Sequence, residues 1–205
     1  MMTPPPLGLY LHIPFCRQRC DFCAFYLEIY REGHAEIFVR SLLHEIELSA
    51  HQHVTPGRSI QSVYVGGGTP TTLAATQLIA ILSEIRSHFA LASDCEITVE
   101  AHPSTISEQD LVQLRQAGVT RMSFGAESME DGDLARIGRP GVVRETVAAV
   151  TQARAAGFTN INLDLMYGLP DQGLESWQRT LAHCLALAPT HLSAYALTVE
   201  EDTRL

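Results

Sequence analysis

The stretch that decides the fold is Leu7-Gly-Leu-Tyr-Leu-His-Ile13 followed by Cys16-Arg-Gln-Arg-Cys20-Asp-Phe-Cys23. An apolar run that reads as a β-strand ends in a loop with three cysteines in the pattern C-x3-C-x2-C. Three thiolates on one short loop can converge on a metal or an iron–sulfur cluster. Zinc normally takes four closed ligands, and no fourth stands nearby, since positions 25 and 26 are Phe and Tyr. A [4Fe–4S] cluster held by three thiolates would leave one iron open to a small molecule. The competing readings are a zinc site completed by His12, or three thiols without a shared ligand.

The chain has 205 residues, 46% hydrophobic and 18% charged, which suits one domain with a substantial core. The net charge is −9, and no Lys/Arg cluster appears, so no nucleic-acid partner is expected. No run of 18 apolar residues predicts a transmembrane segment. Met1-Met-Thr-Pro-Pro-Pro-Leu7 lacks the basic and apolar regions of an export signal. Five cysteines without such a signal point to a reducing, cytoplasmic location. Cys95 and Cys184, far from the triplet, read as core thiols.

Strand-like runs alternate with amphipathic helical stretches. Strands are expected at 7–13, 60–65, 95–101, 119–124, 160–166 and 191–198. Helices are expected at about 33–53, 73–89, 107–117, 142–156 and 173–187. Thr72 and Ser107 read as helix caps, and Gly118 and Gly157 as helix stops. This alternation predicts an α/β fold with parallel strands and right-handed crossovers. With no dinucleotide fingerprint, it reads as an incomplete (β/α)6 barrel, open at the side. No linker divides residues 1–205. No sixth helix follows the sixth strand, and the expectation is an N-terminal fragment of a longer protein, its C-terminal domain absent.

In a parallel barrel, function collects on the loops after the strand C-termini, and every unusual stretch falls there. After the first strand come the cysteines, after the second Gly66-Gly-Gly-Thr-Pro-Thr71, and after the third Glu100-Ala-His-Pro103. The fourth runs into Ser123-Phe-Gly-Ala-Glu-Ser128 and Gly138-Arg139. The fifth carries Asp164 and Met166-Tyr-Gly-Leu-Pro170, and the sixth Tyr195 and Thr198. The glycine run lacks the Gly-Lys-Ser/Thr of a P-loop. It reads either as a plain tight turn or as backbone N–H groups left bare for a small ligand. Glu100 can accept from an amino group or ribose hydroxyls, or be a solvated strand-end charge. Asp164, between two leucines, reads as inward and partnered. Arg139 can fork onto a carboxylate or lie on the surface. His12 and His102 read first as structural, second as substrate contacts.

Together, Tyr10-Leu-His-Ile-Pro-Phe-Cys16, Cys20, Cys23, Gly66-Gly-Gly-Thr-Pro-Thr71, Ser123-Phe-Gly, Gly138-Arg139 and Asp164-Leu-Met-Tyr-Gly-Leu-Pro170 resemble the oxygen-independent coproporphyrinogen III oxidase family of radical S-adenosylmethionine (SAM) proteins. Within it the likeness is closer to haem chaperones of the HemW type. The oxidase has a fourth cysteine two residues after the third, where this chain has Phe25.

The resemblance implies a radical SAM core with Cys16, Cys20 and Cys23 ligating a [4Fe–4S] cluster. It places Tyr10, Phe22, Gly67, Gly68, Thr69, Glu100, Glu127, Arg139, Asp164 and Thr198 around S-adenosylmethionine. Two positions depart from the pattern: Glu127 stands where the family has Gln, and Ala24 where HemW-type proteins have Asp or Gly. The resemblance further implies haem or a porphyrin as substrate, with haem-accepting proteins, a reductant protein and peripheral membrane contact as partners. It leaves two activities open, haem transfer and radical decarboxylation of propionate side chains. An electron-transfer or metal-binding module is a third class.

Overall fold

The computed structural model describes residues 6–53 and 58–205. Met1–Pro5, where the absence of an export signal was read, lie outside the described residues. A parallel six-stranded sheet forms the frame: β1 (Leu7–Ile13), β4 (Ile60–Gly67), β5 (Leu91–Ala101), β6 (Arg121–Glu127), β7 (Asn160–Tyr167) and β8 (His191–Ala196). They are ordered β1-β4-β5-β6-β7-β8, and every adjacent pair is parallel. No ladder joins β8 back to β1 among the described residues. The frame is therefore the open partial barrel that the alternation predicts.

Helices α1 (Glu32–His53), α2 (Ala75–His88), α3 (Glu108–Gln116), α5 (Val143–Ala155) and α6 (Leu174–Ala186) form the crossovers. Among the unforeseen elements are the short α4 (Asp131–Arg136) and a two-stranded pair, β2 (Phe15–Cys16) with β3 (Glu28–Ile29), that folds the cysteine loop back on itself. Ser107 caps α3 as expected: its hydroxyl accepts from the Asp110 amide at 3.2 Å, and Asp110 accepts from the Ser107 amide at 3.0 Å. Thr72 is not a cap. It sits in a 3₁₀ turn, Pro70–Thr72, and α2 begins at Ala75. Gly118 (φ 88°) and Gly157 (φ 91°) end their helices in the left-handed conformation that favours glycine.

Strand alternation builds two unlike faces. Val63, Val65, Ile97, Val99, Met122, Phe124, Ile161, Leu163 and Leu165 are buried in the core under the helices, where a large side chain contributes about 1.5–3 kcal/mol. Cys95 and Cys184 lie in the same core, as expected, and burial pushes the Cys184 thiol up to about 12. The intervening residues, Tyr64, Thr98, Glu100, Arg121, Ser123, Asn162 and Asp164, line the concave face.

Candidate functional site

The C-terminal ends of the strands hold the cysteine loop against its neighbours. Cys16 Sγ lies 3.4 Å from Thr69 Oγ1, and the Cys23 amide donates to the Cys20 carbonyl at 3.2 Å. Arg139 approaches Cys20 Sγ at 3.8 Å. Burial pushes the Cys16 and Cys20 thiols up, while Arg139 pulls both down. A thiolate at either position therefore gains from a bound cation.

Backbone contacts seat the loop on three other segments. The Asp21 amide donates to the Ile137 carbonyl at 3.0 Å, and the Asp21 carbonyl accepts from Arg204 at 2.9 Å and Leu205 at 3.3 Å. Phe22 packs with Ile137, Met166, Leu169, Leu197 and Leu205 in a small second apolar cluster. Gly138 (φ 60°) is required where it stands, since a Cβ there would meet the Asp21 carboxylate at 2.4 Å.

The amides of residues 67–69 bear on the two readings of the glycine run, a plain tight turn or N–H groups left bare for a ligand. The Gly68 amide donates to Ile13 at 2.8 Å, the Thr69 amide to Phe15 at 2.7 Å, and the Gly67 amide to Glu100 Oε2 at 3.1 Å. These donors are engaged inside the protein, not left bare for a ligand. What the glycines supply is room. A Cβ on Gly68 would sit 2.8 Å from the Phe15 carbonyl oxygen, and one on Gly66 2.8 Å from Glu100 Oε2.

Two carboxylates are fixed as oriented acceptors. Glu100 takes the Tyr64 hydroxyl at 2.6 Å on one oxygen and the Gly67 amide on the other. Burial raises its pKa, and those two bonds oppose the rise. Asp164 is inward and partnered, as expected, accepting from Ser123 at 2.8 Å and Asn162 at 2.8 Å. Behind it, Asn162 Oδ1 accepts from His191 Nδ1 at 2.5 Å and from Ser193 at 3.2 Å. Each carboxylate keeps further lone pairs for a ligand's donors.

Arg139 donates to the Gly125 carbonyl and pairs with Glu127 at 3.5 Å. Burial raises the Glu127 carboxyl, opposed by Arg139. Tyr10 is 61% exposed and stacks on Tyr64 at 6.1 Å. Thr198 is exposed just past β8, which ends at Ala196 and not at 198.

Both histidines are structural in this geometry. The His12 ring nitrogens lie 3.2 Å from the Tyr10 hydroxyl and 3.2 Å from the Tyr26 carbonyl. His102 accepts from the Ser104 amide at 3.1 Å, and its Nε2 donates to the Pro140 carbonyl at 3.0 Å. Tyr64, Asn162 and His191 were missed in the sequence, and Ser123 was named there only as part of its rim stretch. Counting back by two from Asp164 would have flagged Asn162.

The sequence profile of the Radical SAM superfamily matches residues 10–184. The chain belongs to the radical SAM superfamily. It is 38% identical over 204 residues to the haem chaperone HemW of Escherichia coli K12, covering 99% of this chain and 53% of that protein. Against HemW of Mycobacterium tuberculosis it is 38% identical over 207 residues, covering 100% and 53%. The chain thus spans about half the length of the curated relatives it matches. The solved structure of coproporphyrinogen III oxidase HemN from Escherichia coli, a radical SAM enzyme, superposes with a TM-score of 0.86 at 34% identity, covering 94% of this chain and 44% of that one. Methylornithine synthase shares the fold, with a TM-score of 0.68 at 16% identity, covering 98% and 56%. The resemblance read from the motifs therefore holds: this is a radical SAM chain of the HemN/HemW type.

The donor set fits the cluster of this superfamily better than zinc. Zinc normally takes four closed ligands, and the loop offers three cysteines with Phe25 and Tyr26 following them. The His12 nitrogens already have partners. All three loop cysteines are free thiols, and a cubane asks each for a separate iron.

Proposed function

We propose that this chain is the radical SAM core of a haem chaperone of the HemW type, with Cys16, Cys20 and Cys23 holding a [4Fe–4S] cluster beside S-adenosylmethionine. The observation that carries it is the rim itself: three cysteines without a fourth, next to oriented Glu100 and Asp164 and the Arg139–Glu127 pair. Phe25, where the oxidase has its fourth cysteine, is 70% exposed, as is Tyr26. They lay apolar surface beside the loop in place of a thiol, which suits a flat apolar cargo such as haem.

Bound together, the cluster and S-adenosylmethionine supply one-electron reductive cleavage of a sulfonium C–S bond. The chain's own residues hold and orient. Glu100 and Asp164 would accept from the amino and hydroxyl groups of S-adenosylmethionine, and Arg139 would face its carboxylate. Tyr10, Phe22, Gly67, Gly68, Thr69, Glu127 and Thr198 complete the surround. Haem or a porphyrin is the substrate in this reading, haem-accepting proteins and a reductant protein are the partners, and the setting is cytoplasmic with peripheral membrane contact. No helix among the described residues is long and apolar enough to cross a membrane.

Anaerobic reconstitution with iron and sulfide tests the first half. Loading of about four irons per chain, the content of one [4Fe–4S] cluster, should be lost on changing any of the three cysteines to Ser. Tightly bound zinc in its place would sink the reading. Haem titrated into the loaded protein should give a saturable absorbance change. Multiple-turnover conversion of coproporphyrinogen III to protoporphyrinogen would favour the oxidase instead.

A further inference from the structure

The end of β6 is bent so as to deliver a carboxylate to Arg139. Its register with β7 slips between Gly125 and Glu127, and Glu127 has φ 59°, a left-handed conformation that non-glycine residues adopt at a cost. Gly125 makes room for the pair, since a Cβ there would lie 2.7 Å from Arg139 Nη2 and 3.0 Å from Glu127 Oε1. The ion pair so formed has side chains only 12% and 13% exposed. The other terminal nitrogen of the same guanidinium is the one that reaches Cys20 Sγ. One nearly buried cation is thus shared between a carboxylate and a thiol-bearing ligand position, where water screens charge little.

We propose that Glu127 lowers the reduction potential of a cluster carried by Cys16, Cys20 and Cys23, by offsetting the charge that Arg139 brings to Cys20. This rests on the cluster assignment under Proposed function. Hydrogen bonds to the cluster's sulfurs and positive charge around it favour the reduced, more negative state and raise the potential. A carboxylate on the same guanidinium offsets the positive charge while the other nitrogen still reaches Cys20. Glu127 touches no cysteine, so it is a positioning residue, and its signature is a potential.

The experiment compares reconstituted wild type with Glu127→Gln, Glu127→Asn and Glu130→Gln by redox titration followed by electron paramagnetic resonance, without S-adenosylmethionine, after iron and sulfide are counted. Asn removes the charge while tolerating a left-handed backbone, so it stands in if the Gln variant fails to fold. Glu130 pairs with Arg179 at 3.1 Å and serves as the control for a lost carboxylate elsewhere. Both neutral variants at 127 should have more positive midpoints, by roughly a tenfold change in the reduction equilibrium, about 59 mV for a one-electron couple. Glu130→Gln should match wild type. Unchanged or more negative midpoints in the loaded Glu127 variants overturn the proposal, and so does an equal positive shift in Glu130→Gln. A wild type that takes up no iron and sulfide overturns the cluster assignment and this inference with it.

Discussion

The two faces of the sheet are made by the same strands and held together by different physics. Under the helices, Val99, Met122, Phe124, Leu163 and Leu165 are all fully buried, and dispersion and the hydrophobic effect do the holding. On the concave face, the chain His191–Asn162–Ser123–Asp164 and the pair Tyr64–Glu100 are joined by directed hydrogen bonds of 2.5–2.8 Å. The buried face tolerates a change of shape only at the cost of a cavity. The concave face tolerates a change of polarity only at the cost of an unpaired group. Stability resides mainly in the first and the capacity to orient a ligand mainly in the second, and substitutions should separate the two.

The largest effect is expected on the buried face. Phe124→Ala should lower unfolding free energy by about 3–5 kcal/mol through lost burial and the cavity left behind, as read by denaturant titration. The core cluster that Phe124 joins includes neither the three loop cysteines nor Glu100, so the variant, once refolded, should load iron in wild-type proportion. Loss of loading at full folding would erase the division between the faces.

Gly68→Val tests the join between glycine run and cysteine loop. The new Cβ would press on the Phe15 carbonyl oxygen at 2.8 Å and on Pro14 backbone atoms at 3.0 Å. Backbone gives way less readily than a side-chain end, so about 1–3 kcal/mol of overpacking is expected, and the cysteine loop must shift. Iron content and S-adenosylmethionine binding should therefore fall together. Normal iron content with weakened binding by calorimetry would instead restore the reading of the glycines as a ligand cradle.

Much of this was legible in the sequence, for definable reasons. Strands and crossover helices showed because each is amphipathic at its own period, and the rim showed because Cys16 and Gly66 follow the expected strands while Glu100 and Asp164 lie in the C-terminal halves of theirs. Hidden were features that depend on what lies across space. The amides of Gly68 and Thr69 are engaged because β1 and β2 bring Ile13 and Phe15 alongside, and that of Gly67 because β5 brings Glu100, which no local pattern announces. The α2 start lies at Ala75 and not at 73 because the Thr72 hydroxyl donates to the Thr69 carbonyl at 2.8 Å and stabilises a 3₁₀ turn first. The seating of Asp21 by Ile137, Arg204 and Leu205 joins segments more than a hundred residues apart.

The smallest predicted effect concerns a buried histidine beside Arg139. His102 is 8% exposed, and burial first, then the Arg139 charge, lowers its pKa to about 3. Its ring is neutral in the folded protein at neutral pH, with Nδ1 accepting from Ser104 and Nε2 donating to Pro140. A proton on Nδ1 would break the Ser104 bonds. In the unfolded chain the same ring titrates near its ordinary value, about 6.5. The sign follows from linkage: below that value the unfolded state binds a proton that the folded state refuses, so stability falls with falling pH. The contribution is fully present above the unfolded pKa and is lost by about 1.4 kcal/mol per pH unit as pH drops from about 6.5 toward the folded value. His102→Gln removes the titrating group while keeping an acceptor for the Ser104 amide. Its unfolding free energy should fall less than wild type's between pH 7 and pH 5.5, by about 1 kcal/mol. Parallel curves for the two proteins would mean that the ring reaches water and takes up its proton in the folded state.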